Sequence, residues 1–95
     1  MSVEIELNEQ VAVGTYVNIG LVTHSTSEFV LDFATMMPGM PKAHVRSRLI
    51  MTPEHAKRLL RNLQENIARY ESVMGKIELP APIAGHSAGP KMGEA

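Results

Sequence analysis

Apolar and polar positions alternate with a period of two in four stretches of the first fifty-one residues, and from Thr52 onward the apolar spacing changes to three and four. The first rhythm belongs to half-buried strands and the second to an amphipathic helix. Val3, Ile5 and Leu7 alternate with Glu4 and Glu6, which predicts a short edge strand. Thr15 to His24 is rich in β-branched residues and predicts a second strand, with Val17, Ile19 and Leu21 on its odd face. Ser25, Thr26 and Ser27 read as a polar turn, and Glu28 to Met37 resumes the alternation with Phe29, Leu31 and Phe33. A hairpin centred on Thr26 sets Leu21 opposite Leu31, Ile19 opposite Phe33, Val22 opposite Val30 and Gly20 opposite Asp32.

The run Met37-Pro38-Gly39-Met40-Pro41 cannot continue a ladder, because proline lacks an N–H and glycine favours a turn. Ala43 to Met51 then predicts a fourth strand, with Val45, Leu49 and Met51 on one face and His44, Arg46, Arg48 and Ile50 on the other. A hairpin around Gly39 places Asp32 across from Arg46 or Arg48, as a cross-strand ion pair. Thr52-Pro53-Glu54 is a helix start: an N-cap hydroxyl, proline at the first helical position and an acid near the positive end of the macrodipole. Ala56, Leu59, Leu60, Leu63, Ile67, Tyr70 and Met74 form one apolar stripe, and Gly75 is the natural stop. The expected fold is α+β: an antiparallel four-stranded meander with one long C-terminal amphipathic helix packed on its odd face. The expected domain spans residues 1–79. Residues 80–95, rich in proline, glycine and alanine, are expected to be a disordered tail.

Composition narrows the picture. A chain of 95 residues is at most one domain with a thin core, and four aromatic residues against seven methionines make that core aliphatic. Small size of this kind favours oligomerisation. The net charge of -1 hides an asymmetry: Met1 to Pro41 carries five acids and no lysine or arginine, whereas Lys42 to Arg69 carries seven bases and two acids. Two such blocks read first as pairing devices, within the fold or between subunits, and second as a basic face for an anionic partner. The acidic start does not read as a secretory signal, and no apolar run approaches the roughly 20 residues of a membrane span. A cytoplasmic chain with no membrane partner is expected.

Candidate chemistry is sparse. With no cysteine there are no disulfides or thiolates, and His24, His44, His55 and His86 lack metal-ligand spacing. No nucleotide-binding or nucleophile-elbow motif occurs. Ser25 to Ser27 beside His24 and Glu28 reads as turn chemistry. We therefore expect no enzyme, no catalytic residue, no metal and no cofactor. The basic segment from 42 to 61 offers Lys42, Arg46, Arg48, Lys57, Arg58 and Arg61 as nucleic-acid contacts, but a pI near 6.4 and the absence of an aromatic RNA-binding motif weigh against that partner.

The run YVNIGLVTHSTSEFVLDF, followed by PKAHVRSRLIMTPEHAKRLLRNLQENIARYE and GKIELP, resembles a small bacterial family known as domain of unknown function 3467. The resemblance covers roughly residues 3 to 79 and implies no activity. The expected order of strands and helix is also similar in topology to the export chaperone SecB, which implies paired subunits and apolar grooves for unfolded chains. The resulting expectation is a non-enzymatic homo-oligomeric interaction module that binds itself and, in a chaperone-like way, unfolded or partner polypeptides. Its expected interface is Val22, Val30, Asp32, Met36, Arg46, Arg48 and Ile50. A nucleic-acid-binding or regulatory role for the basic segment is the alternative.

Overall fold

Ser25 decides how the first hairpin closes. In the computed structural model, which describes residues 2–80, its N–H donates to the Glu28 carbonyl at 2.9 Å, and its Oγ accepts from the N–H groups of Ser27 and Glu28. The loop therefore holds the four residues 25–28 between β1 (Ile19–His24) and β2 (Phe29–Thr35). An even loop sets Val22 opposite Leu31, Gly20 opposite Phe33, Leu21 opposite Asp32 and Thr23 opposite Val30. This corrects the register expected from a turn centred on Thr26 by one residue, and such a slip exchanges the two faces of a strand. Val22 now lies with Leu31 instead of with Val30. Phe33 covers Gly20, where an added Cβ would meet the ring at 3.5 Å, and His24 stacks on Phe29 at 5.3 Å between ring centroids.

The second hairpin joins β2 to β3 (His44–Met51) through the proline-glycine loop, completing an antiparallel sheet in the order β1-β2-β3. Asp32 lies opposite Arg48, one of the two expected partners. Between the pairs Phe33–Ser47 and Ala34–Val45, Arg46 is an extra residue, a bulge that shifts the register. Val45 consequently joins the face of Asp32 and Ala34, although the alternation had set it with Leu49.

The expected strand at Val3–Leu7 does not form in the protomer, so the sheet has three strands and the SecB-like four-stranded arrangement is absent among the described residues. Residues 3–7 make no backbone hydrogen bond to the sheet. Instead Asn8 caps a four-residue helix, α1 (Glu9–Ala12), by accepting from the Gln10 N–H at 2.7 Å. Gly14 then leaves the helix with φ +81°, a left-handed conformation that glycine adopts at little cost. Nor does β1 begin at Thr15: residues 15–18 approach the sheet as an extended lead-in, fastened by Asn18. The Asn18 side chain donates to the Met36 carbonyl and accepts from the Met36 N–H, both at 2.9 Å, so an amide side chain continues the ladder past the last backbone pair.

α2 (Pro53–Met74) follows β3 directly, with Thr52 Oγ1 accepting from the His55 N–H and Gly75 ending the last turn at φ +99°. Its bounds match the capping signals. Its packing does not match the expectation: α2 makes no extended contact with any strand, and Ala56 alone of its apolar stripe is half-buried. The helix is amphipathic and long enough to cover the sheet, yet in one protomer it leaves that face open. The expected tail lies at residues 80–95, and all but Pro80 of it falls outside the described residues.

Candidate interaction surface

The protomer has little interior. Among the described residues only Leu31 (8% exposed), Ala34 (3%) and Thr35 are buried, all on the central strand, and Thr35 Oγ1 donates to the Tyr16 carbonyl at 2.7 Å. Among the described residues, large apolar side chains are open in three regions.

The first is the α2 stripe. Leu59, Leu60, Leu63, Ile67, Tyr70 and Met74 are all exposed, with Leu63 at 54%. Large side chains present about 200–250 Å² each when free, so these six leave on the order of 600 Å² of contiguous apolar surface, the upper limit for an ordinary monomer. The second is the sheet, whose β3 strand exposes Val45, Leu49 and Ile50. The third is the N-terminal segment, where Ile5 is 91% exposed.

The residues expected at an interface fall into separate places. Val30, Asp32 and Ile50 share one sheet face with Arg48, whereas Val22 lies on the opposite face with Leu31 and Leu49. Met36 is exposed where Asn18 holds its backbone, beside the equally exposed Met37 and Met40. Arg46 is exposed at the bulge. Arg48 holds Asp32 across the sheet: Nε donates to Oδ1 at 2.7 Å and Nη2 to Oδ2 at 2.9 Å, in the two-pronged geometry that suits guanidinium and carboxylate. Those hydrogen bonds, and then the charge of the guanidinium, hold the Asp32 carboxyl below the usual carboxylate range, against an opposing push from desolvation. An Asp with so firm a partner is an anchor between strands and a poor proton donor or acceptor.

The basic residues of α2 do not converge on a closed site. Pro53, Glu54, Lys57, Arg58 and Arg61 line an open hollow of about 430 Å³. Arg58 is engaged by Glu54 at 2.7 Å, and Glu65 turns to Arg69 at 3.9 Å instead of to Arg61. Lys42 lies in the preceding loop, so the six bases are spread over a loop, a sheet edge and a helix. Among the described residues no three histidine, aspartate or glutamate side chains gather as metal ligands, and no helix is long and apolar enough to cross a membrane.

Two features escaped the sequence reading. The Asn18–Met36 ladder carries no local signal, because asparagine in a β-rich run does not announce a partner eighteen residues away. The α1 cap did carry one, in Asn8-Glu9-Gln10, a polar N-cap followed by an acid. Over residues 1–79 the chain matches a family described as "Protein of unknown function (DUF3467)", and it belongs to that family. No curated protein and no solved structure matches it.

Proposed function

For this member of the family, we propose a non-enzymatic role as a homo-oligomeric protein-interaction module, in which the open sheet and the α2 stripe of one copy are covered by a second copy. The observation that carries the reading is the unpartnered α2 stripe. Burying about 600 Å² of apolar surface is worth on the order of 15 kcal/mol gross per protomer, before the costs of association. With three buried residues among those described, the protomer's own core sets little against the entropy of ordering its chain. Helix-on-sheet packing, expected within one chain, is then supplied between chains.

Folding and association are coupled in this reading, so the midpoint of thermal unfolding rises with protein concentration. A midpoint independent of concentration over two decades contradicts the reading. A second reading rests on the exposed Met36, Met37 and Met40, whose flexible thioethers suit irregular apolar ligands. There the same surfaces hold an unfolded polypeptide in a chaperone-like way. Saturable binding of a reduced, unfolded polypeptide by the folded oligomer supports it, and no binding by that oligomer rejects it.

A further inference from the structure

The N-terminal segment has the alternation of a strand and does not join the sheet of its own protomer. Val3, Ile5 and Leu7 are among the most exposed large apolar residues described, and the alternating Glu4 and Glu6 are exposed as well. β3 is an edge strand, so one row of its backbone donors and acceptors is unpaired along eight residues. The two edges of the sheet differ in charge. β1 contains no lysine or arginine, whereas β3 contains Arg46 and Arg48. Arg46 forms no ion pair among the described residues, and the Arg48 side chain keeps 63% of its surface exposed while it holds Asp32.

We propose that residues 3–7 of one copy add as an antiparallel fourth strand to the outer edge of β3 in a second copy. Glu4 then lies opposite Arg48 and Glu6 beside Arg46 at the bulge. The same register sets Val3 opposite Leu49 and Ile5 opposite the small Ser47, on the face of Leu31, so the acids meet bases and the apolar side chains of the added strand lie on the apolar face. A one-residue slip reverses both matches. The charge asymmetry of the sequence becomes the selector that directs the acidic strand to the β3 edge instead of the β1 edge.

This inference rests on the homo-oligomeric reading and names one of its contacts. The chain has no cysteine, so engineered thiols report without background. Full-length Ile5→Cys and Ser47→Cys proteins are mixed, allowed to exchange subunits and oxidised. The expected product is a disulfide between the two different chains, with little cross-linking when Ile5→Cys is mixed with Thr23→Cys on β1. Glu4→Lys with Glu6→Lys weakens self-association about tenfold at low salt, less at high salt, and adding Arg46→Glu recovers part of the loss. If the wild type is oligomeric and the cysteine variants cross-link equally to β1 and β3, or not at all, the strand addition is overturned and the homo-oligomeric reading stands. The same follows from a cross-link formed only inside the double variant Ile5→Cys/Ser47→Cys. A folded monomeric wild-type chain overturns both.

Discussion

Truncating Leu63 to alanine separates the stability of the protomer from that of the assembly. In one protomer Leu63 is 54% exposed, in the middle of the α2 stripe, and among the described residues α2 makes no extended contact with any strand. Leucine and alanine are both strong helix formers, so the isolated helix loses nothing. Its free surface amounts to about 100 Å², of which alanine keeps about a third. At about 25 cal/mol per Å² the substitution removes close to 2 kcal/mol of burial per protomer. A symmetric dimer carries the change twice, so the total is about 3.5 kcal/mol, or a few hundred-fold in the dissociation constant. Dilution calorimetry measures that constant directly, with circular dichroism as the check on helix content. Lys57→Ala, on the polar side of α2, serves as the control and leaves the constant unchanged. A Leu63→Ala dissociation constant within about threefold of wild type, at unchanged helicity, would refute the burial of the stripe.

Other perturbations test the elements that frame this surface. Asn18→Ala removes both side-chain bonds to Met36 and is expected to cost about 1–2 kcal/mol, read as a lower urea midpoint at constant slope. Thr52→Ala deletes the α2 N-cap for about 1 kcal/mol, and Thr52→Ser restores most of it. Asp32 is depressed in the folded chain by its bonds to Arg48. Its contribution is therefore complete above the unfolded carboxylate value near ~3.9 and is lost as pH falls through the lower folded value. Arg48→Gln returns the Asp32 carboxyl toward its ordinary value, visible by carboxyl-carbon NMR titration, and shallows the acid limb of the stability profile.

The helix was legible to the residue, because Thr52-Pro53-Glu54 and Gly75 are local signals whose chemistry acts within one turn. Three strands were legible from alternation, and the second hairpin brought Asp32 to Arg46 or Arg48, of which the structure forms the pair with Arg48. What failed was non-local. The first hairpin closes on an even, four-residue loop through the backbone bond from Ser25 to Glu28, and the bulge at Arg46 moved Val45 to the other face. The alternation at Val3–Leu7 reads as a strand, yet no strand forms there in the protomer, because a period of two does not by itself supply an edge to pair with. The α2 stripe has the same ambiguity: amphipathicity demands a partner and is silent on whether that partner is in the same chain.

Whether one copy completes its own core is tested most directly by sedimentation equilibrium of the full chain at micromolar concentration. The prediction is a mass near twice 10.4 kDa, or a higher multiple. A species of 10.4 kDa that keeps its helix and unfolds cooperatively would contradict it.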